Sequence, residues 1–316
     1  MKGTRFVAVG ECMVELFSED PIPVERSERF RSSFGGDAVQ AALAAANLGT
    51  PSAVATVGGD DQFAGSLLSW LEHSGISTEL IAPRVGLTGL YLISIDAAGE
   101  RSFAYYRKGS AASTLGPQDV AWPEPPEALL VSGITQAVSD SSRRAALEAA
   151  RLTSEAGGTV IYDFNYRPRL WGDDPAAARE AFEEILPLCQ VLRAAAPEET
   201  SILAGETDPI RAAGALAARG APVVLVGCGA EGAVLAAGGE VQRVPAPSVR
   251  CIDTTGAGDA LTGAFVHGVL AGNSPSAAAR IGVAAGSLAV TRRGGASSMP
   301  LGDEVRAMVE RMRAPV

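Results

Sequence analysis

The chain has 316 residues, 47% of them hydrophobic, and a formal net charge of −10 at pH 7. This length and apolar content allow a large buried core, and no apolar run is long enough to span a bilayer. The acidic balance, without a cluster of lysine and arginine, excludes nucleic acid and acidic membrane surfaces as expected partners. Because no signal-like or transit-like segment opens the sequence, we expect a cytoplasmic protein.

In chain order, short apolar runs alternate with longer amphipathic runs. Strands are predicted near 5–10, 53–57, 128–132, 159–163, 189–192 and 222–227, and helices near 37–48, 61–73, 139–156, 175–186, 208–219, 259–271 and 275–290. The run Val223-Val224-Leu225-Val226 is apolar throughout, as expected when helices cover both faces of a parallel sheet. The alternation predicts an α/β doubly wound fold, a mostly parallel central sheet flanked by helices, with residues 1–316 as a single domain.

Two segments interrupt this alternation. Residues 11–34 and 87–110 read as extended chain, and Asp96-Ala97-Ala98-Gly99 supplies a turn within the second segment. An extended run, a turn and a second extended run favour a hairpin over a βαβ unit. The residues alone therefore predict a β insertion in the α/β domain.

The most informative stretch is Asp253-Thr254-Thr255-Gly256-Ala257-Gly258-Asp259, which leads into a helix of small residues. The backbone N–H groups of Gly256, Ala257 and Gly258 can form an anion hole at the start of a helix, where the helix dipole adds positive potential. Asp259 then stands beside the anion, placed to accept a proton. The alternative is an ordinary strand-to-helix turn with Asp259 as its N-cap.

From Asp253 to Phe265 this stretch resembles the C-terminal signature of the ribokinase-type (pfkB) sugar kinases. The pair Gly35-Gly36, which opens the predicted helix through Ala46, resembles their N-terminal signature, and the resemblance covers essentially the whole chain. It implies a ribokinase-like fold, with Asp259 as the catalytic base and with ATP and Mg²⁺ as cofactors. It also implies that the two extended segments form a small β-sheet lid over the sugar site, through which homo-oligomers often assemble.

Two segments carry side chains suited to a polar, planar anion. Tyr105 and Arg107 follow the predicted hairpin, and Asn165 and Arg167 follow the strand predicted near 159–163, where ligands of parallel sheets gather. An arginine can bind a carboxylate through two parallel hydrogen bonds, which a lysine cannot do. The alternative for Arg107 is an exposed position at a strand end.

Together, the two segments resemble 2-keto-3-deoxygluconate kinases more closely than ribokinases or adenosine kinases, and fructokinases share the second segment. The resemblance implies transfer of the ATP γ-phosphoryl group to the terminal hydroxyl of 2-keto-3-deoxygluconate, giving 2-keto-3-deoxy-6-phosphogluconate. A fructokinase or other ketose kinase is the main alternative, and a non-catalytic sugar-sensing protein is a further one. The expected substrate contacts are Gly35, Gly36, Tyr91, Tyr105, Arg107, Asn165, Arg167 and Asp259.

The nucleotide side is less sharply defined. Gly229-Ala230-Glu231-Gly232 matches a Gly-x-x-Gly of the family, and the resemblance places ATP between this turn and the helix near Asp259. No P-loop motif occurs, and the G-x-G-x-x-G of an NAD-dependent dehydrogenase is missing after the first strand. The expected ATP contacts are Gly229, Gly232, Thr255, Gly256 and Gly258.

Cation sites follow from the resemblance alone. Relatives use Asn-x-x-Glu near the metal, but this chain reads Ala196-Pro197-Glu198-Glu199. Glu199 either organises water around Mg²⁺ or simply begins a helix. Relatives often bind a monovalent cation such as K⁺ near the counterpart of Asp253. Gln40 stands where many relatives have Asn, and its extra methylene leaves it outside the predicted site.

Overall fold

A computed structural model of the chain describes residues 3–96, 101–122 and 124–313. The strands are β1 (Phe6–Val9), β2 (Met13–Ser18), β3 (Phe30–Gly35), β4 (Ser52–Gly58), β5 (Ile76–Ser77), β6 (Ile81–Pro83), β7 (Gly89–Ile95), β8 (Arg101–Tyr106), β9 (Ala128–Ser132), β10 (Thr159–Asp163), β11 (Val191–Ala195), β12 (Val223–Gly227), β13 (Ala233–Ala237) and β14 (Glu240–Val244). The helices are α1 (Asp37–Asn47), α2 (Ala64–His73), α3 (Gly133–Val138), α4 (Asp140–Glu155), α5 (Pro175–Ile185), α6 (Glu198–Ala204), α7 (Pro209–Ala218), α8 (Ala257–Leu270), α9 (Pro275–Ala289) and α10 (Gly302–Arg313).

The central sheet has the order β14-β13-β12-β11-β10-β9-β1-β4-β5, and β6 pairs with β4. All neighbouring pairs from β12 to β5 are parallel, whereas β13 and β14 add an antiparallel edge. Helices cover both faces, so the predicted doubly wound, mostly parallel α/β fold is confirmed.

The core consists of two apolar layers, one on each face of this sheet. On β1, Phe6 and Ala8 point into the layer under α1, α8 and α9, while Val7 and Val9 point into the layer under α4, α5 and α7. This double burial explains why β1 is apolar at every position. Helices α1 and α8 touch at the backbone, because a Cβ on Gly263 would collide with the carbonyl oxygen of Ala41.

A second, four-stranded sheet has the order β3-β2-β7-β8. The pairs β2–β3 and β7–β8 are antiparallel, and β2 runs parallel to β7. Its strands lie in the two segments predicted to be extended, and the second segment forms the predicted antiparallel pair. Asp96 is described, but residues 97–99 of the predicted turn lie outside the described residues. The role of this sheet as a lid stays a prediction.

Several elements differ from the sequence interpretation. The strand predicted near 189–192 runs over Val191–Ala195, and the helix predicted from 259 begins at Ala257. The sequence does not predict strands β5, β6, β13 and β14 or helices α3 and α10, whereas α6 begins at Glu198, next to the residue for which a helix start was one alternative. Alanine-rich β13 has little intrinsic strand preference, and it is held by its pairing with β12 and β14. Across the described ranges, none of the helices has both the length and the apolar character needed to cross a lipid bilayer.

Candidate active site

Charged side chains converge where the central strands end and where α1 and α8 begin. Burial raises the pKa of Asp259 well above its usual range, Asp37 and Asp163 raise it further, and Arg167 and Arg193 oppose the rise. Asp163 is the last residue of β10, and Asp37 is the first residue of α1. The aspartate predicted as a base therefore lies in a compact cluster of acids and arginines at the carboxyl edge of the sheet.

The glycine turn before α8 has the geometry of an anion site. Gly256 adopts φ 74°, a left-handed conformation that favours glycine. In the described part of the chain, the N–H groups of Gly256, Gly258 and Asp259 have no hydrogen-bond acceptor, so they can face an anion at the helix start. The N–H of Ala257, also predicted for the anion hole, donates to the carbonyl oxygen of Thr254 at 3.3 Å, and its contact with an anion stays a prediction.

A stacked row of side chains forms the side of the site made by the second sheet. The rings of Tyr91 and Tyr105 stack with centroids 5.8 Å apart, and the guanidinium of Arg107 lies 4.4 Å from the centre of the Tyr105 ring. Nη1 of Arg107 donates to Oε2 of Glu11 at 2.7 Å, and both side chains are largely buried. The alternative of an exposed Arg107 is thus wrong, and three predicted substrate residues are brought together.

The N-terminal glycine pair permits close approach of other chain segments. Gly36 has φ 132°, and a Cβ there would collide with the carbonyl oxygen of Glu11. A Cβ on Gly35 would collide with the Tyr91 hydroxyl. Gln40, which the sequence interpretation left out, lies inside the site. Its Nε2 donates to the Tyr91 hydroxyl at 3.4 Å, and its Oε1 would be 2.9 Å from a Cβ on Gly256.

Asn165 and Arg167 lie just beyond β10 at the same edge. Asn165 is buried with φ 39°, an uncommon conformation for a residue other than glycine, and its side chain makes no hydrogen bond to any described residue. Such strain occurs preferentially at functional sites. Arg167 is exposed, and its Nη1 donates to the carbonyl oxygen of Tyr166 at 2.9 Å. Its charge acts on the pKa values of Asp259 and Tyr105.

Asp253 braces two loops against each other. Its Oδ1 accepts hydrogen bonds from the amide and hydroxyl of Thr255 at 2.9 and 2.7 Å, and its Oδ2 accepts one from the Gly294 amide at 2.8 Å. Glu15 performs a similar task, because its Oε2 accepts from the Tyr91 hydroxyl at 2.6 Å and from the Gly295 amide at 3.3 Å. A monovalent cation beside Asp253 and an ATP contact through Thr255 stay predictions.

Glu199 is buried close to Arg193, with its Oε2 4.0 Å from Nη1 of that arginine. Its two oxygens accept hydrogen bonds from the backbone amides of Tyr166 at 2.8 Å and Ala195 at 2.6 Å. In the described ranges, no group of three His, Cys, Asp or Glu side chains could hold a metal directly. The contact of Glu199 with Mg²⁺ through water stays a prediction.

The Gly-x-x-Gly turn connects β12 to β13. Gly232 has φ 97°, and a Cβ there would collide with the carbonyl oxygen of Val244, so packing alone requires glycine at this position. A Cβ on Gly229 would meet nothing within 4 Å, although its φ is 57°. The turn lies at the same edge of the sheet as α8, and its contact with ATP stays a prediction.

The sequence interpretation missed three residues of the cluster, Glu11, Asp37 and Arg193, and it left a fourth, Gln40, outside the predicted site. Asp37 follows the glycine pair, where an acid also suits the first turn of any helix. Its Oδ2 accepts a hydrogen bond from the Ser132 hydroxyl at 2.6 Å. Arg193 fell just beyond the strand predicted near 189–192. Only the fold brings these side chains to Asp259 and Arg107.

This fold and site define an α/β protein in which a helix start, with backbone amides that lack acceptors among the described residues, lies beside a buried carboxylate, an arrangement suited to a phosphate group. Residues 4–301 match the pfkB family of carbohydrate kinases, and the chain belongs to that family. The 2-dehydro-3-deoxygluconokinase of Thermoproteus tenax is 33% identical over 309 residues, covering 96% of this chain and 94% of that protein. The 2-dehydro-3-deoxygluconokinase of Dickeya dadantii (strain 3937) is 30% identical over 316 residues, covering 93% and 97%.

The fold is also that of solved ribokinase-like proteins. The crystal structure of a putative Ribokinase II from E. coli, in complex with ATP and Mg²⁺, superposes with a TM-score of 0.87 at 23% identity. The match covers 98% of this chain and 99% of that chain. The predicted ribokinase-like fold and pfkB family membership are therefore confirmed.

Proposed function

We propose that the protein transfers the γ-phosphoryl group of ATP to the terminal hydroxyl of 2-keto-3-deoxygluconate, giving 2-keto-3-deoxy-6-phosphogluconate. The observation that carries this proposal is the buried guanidinium of Arg107, held over the Tyr105 ring in a site shared with Asp259. A buried guanidinium is a strong and geometrically specific receptor for a carboxylate. The names of the two curated relatives support the same sugar acid.

Asp259 would accept the proton of the substrate hydroxyl as that oxygen attacks phosphorus. Its raised pKa makes it a stronger base than an ordinary aspartate, and it still has to lose its own proton before it can act. The binding of substrate and nucleotide beside Arg167 and Arg193 would determine what fraction of Asp259 is ionised. The amides of Gly256 and Gly258 would bind the oxygens of the moving phosphoryl group, so catalysis rests mainly on positioning and electrostatics.

ATP would lie between the Gly229–Gly232 turn and α8, with Thr255 near its phosphates. Mg²⁺ on the phosphates would neutralise part of their charge, and Glu199 would orient its bound water. A monovalent cation would sit beside Asp253. A cytoplasmic location would suit an enzyme that uses ATP.

The second sheet would close over the sugar and exclude water from the reaction. On its edge strand β8, the residues Tyr105 and Tyr106 are 45% and 68% exposed, which supports a further role in homo-oligomer contact. Sedimentation of the purified protein over a range of concentrations would test that assembly.

One observation favours a neutral ketose instead, as in a fructokinase. Arg107 is already paired with Glu11, so its positive charge is partly neutralised before any substrate arrives. A neutral sugar could then bind through hydrogen bonds without disturbing this ion pair. The two candidates therefore differ in what happens to the Glu11 carboxylate. A sugar acid must take its place beside Arg107, whereas a neutral sugar can leave the ion pair intact.

A substrate panel decides between them. Release of ADP is measured with 2-keto-3-deoxygluconate, its galactonate-derived epimer and fructose under identical conditions, and the phosphorylated carbon is located by NMR. A charge-assisted hydrogen bond is worth about 1.5–3 kcal/mol, so kcat/KM should favour a keto acid over fructose by roughly 10- to 100-fold. A preference for fructose would establish a ketose kinase, and binding of sugar without turnover would establish a sensor.

A further inference from the structure

Arg193 occupies an unusual place for an arginine, inside a parallel sheet. It lies on β11, in register with Asp163 on β10 and Leu225 on β12. Its neighbour two residues earlier, Val191, points into the apolar layer under α8, so Arg193 leaves the sheet on the α8 side. Its side chain is only 12% exposed. A charge so deeply placed requires partners.

The guanidinium is anchored at one corner only. Nη1 donates to Oδ1 of Asp163 at 3.0 Å and lies 4.0 Å from Oε2 of Glu199. Nε is buried and has no hydrogen-bond acceptor among the described residues. Nη2 likewise donates to no residue in the ranges that the structure describes. An arginine with five N–H donors therefore leaves most of them unused.

The unused nitrogen faces the start of α8. A Cβ on Gly258 would stand 2.7 Å from Nη2 of Arg193, and one on Gly227 would stand 3.4 Å from it. Nη2 is thus beside the turn whose Gly256 and Gly258 amides also lack acceptors. Three unsatisfied donors on one small region fit a single anion with several oxygens.

We propose that Arg193 is a further phosphate-binding residue, whose Nη2 donates to an oxygen of the phosphoryl group held at the start of α8. This inference rests on the proposed kinase function and adds a side-chain cation to the anion hole. Asp163 is then a positioning residue: Oδ1 fixes the guanidinium, and Oδ2 accepts a hydrogen bond from the Thr262 hydroxyl of α8 at 3.2 Å.

The chemistry asks nothing covalent of Arg193. The substrate oxygen forms its bond to the γ-phosphorus, the bond from that phosphorus to the bridging oxygen breaks, and the electron pair leaves with ADP. The hydroxyl proton goes to Asp259, and Arg193 keeps all its protons. Its contribution is a fixed positive charge where charge is redistributed, and one such donor is typically worth roughly 10²–10³-fold in kcat.

The test compares Arg193→Gln and Arg193→Lys with wild type and with Arg151→Gln as a matched control, since Arg151 forms exposed ion pairs on α4. The measurements are kcat, KM for the sugar, calorimetric affinities for ATP and ADP with Mg²⁺, and the thermal unfolding midpoint. We expect Arg193→Gln to lower kcat about 100-fold and to weaken ATP more than ADP, with the sugar KM within about threefold of wild type. Arg193→Lys should show a partial loss.

Added guanidinium provides a readout that a merely structural role would not move. In Arg193→Ala, low-millimolar guanidinium should restore part of kcat while the unfolding midpoint stays constant. If Arg193→Gln fails to fold, Arg193→Lys decides. A folded variant with wild-type kcat and ATP affinity, or a loss confined to the unfolding midpoint, would overturn the proposal. The affinities for ATP and ADP are measured without sugar. They therefore test the role of Arg193 even if 2-keto-3-deoxygluconate proves not to be the substrate.

Discussion

Glu11 and Arg107 form a buried ion pair in which Oε2 of the carboxylate accepts a 2.7 Å hydrogen bond from Nη1. Within the described residues, Oε1 of Glu11 and Nε of Arg107 are buried without hydrogen-bond partners. Burial raises the pKa of Glu11 to about 7, Arg107 opposes the rise, and Asp37 adds to it. Near neutral pH this carboxylate can therefore change its protonation when a second anion reaches Arg107.

Proton uptake on binding follows from this pair. A substrate carboxylate beside Arg107 adds negative charge next to Glu11, which raises the pKa of Glu11 further above about 7. At a pH just above 7, binding of 2-keto-3-deoxygluconate should take up a substantial fraction of one proton, whereas fructose should take up none. Calorimetry in buffers of different ionisation enthalpy measures this uptake. Glu11→Gln should abolish it, and equal uptake in that variant would assign the proton to another group.

Substrate discrimination should depend on Arg107. Removing one partner of a desolvated charge pair costs roughly 2–5 kcal/mol, so Arg107→Ala should lose that much in kcat/KM toward the keto acid. Neutral sugars should lose much less, because Glu11 can protonate once its partner is gone. Arg107→Lys should recover only part of the loss, since a point charge keeps the attraction without the two-pronged geometry. Equal losses on the keto acid and fructose would instead show a structural or phosphate-directed role.

The base role of Asp259 predicts a selective loss of turnover. Asp259→Asn keeps the shape of the side chain, so the variant should fold and bind ATP, while kcat should fall about 10²–10⁴-fold. The same substitution at exposed Asp303 on α10 is the control and should leave kcat unchanged. Steady-state kinetics and a nucleotide titration measure both effects. Retention of most activity in Asp259→Asn would remove the base from this mechanism.

Gly256 offers a test of the anion turn that separates backbone strain from function. Gly256 and Gly272 have φ values of 74° and 79°, but an added Cβ meets Met299 and Gln40 side-chain atoms at 2.8 and 2.9 Å only at Gly256. Both alanine variants should lose about 1–2 kcal/mol of unfolding free energy from the left-handed conformation. Only Gly256→Ala should also lose kcat and ATP affinity. Chemical denaturation and kinetics on the pair make the comparison.

The sequence predicts the fold well where its signals are local. The central strands can be predicted because burial on both faces favours an apolar residue at nearly every position. The helices can be predicted from the spacing of their apolar residues, and glycine or proline marks the start of several of them. Strand β13 lacks such a signal, because its alanines take the strand conformation only through pairing with the neighbouring strands β12 and β14. The strand predicted near 189–192 ends three residues before β11 does, which left Arg193 outside the predicted sheet.

The site residues also differ in whether a local stretch of sequence can reveal them. Gly256, Gly258 and Asp259 are contiguous, so their chemistry can be read from one stretch of sequence. Glu11 and Arg107 are far apart in the chain, and each alone resembles an ordinary strand-end charge. Their pairing depends on how the second sheet meets β1, which no local pattern specifies.

The contact between Gly263 and the carbonyl oxygen of Ala41 joins α8 to α1 without intervening side chains. Because no layer of side chains separates the two backbones, the helices cannot easily slide past each other, and we expect them to move as one rigid unit. We therefore expect Asp37 and Asp259, one near the start of each helix, to keep a constant separation. If the proposed lid opens to admit a sugar, we expect the motion in the second sheet, which meets this part of the protein through side-chain contacts such as that of Gln40 with Tyr91.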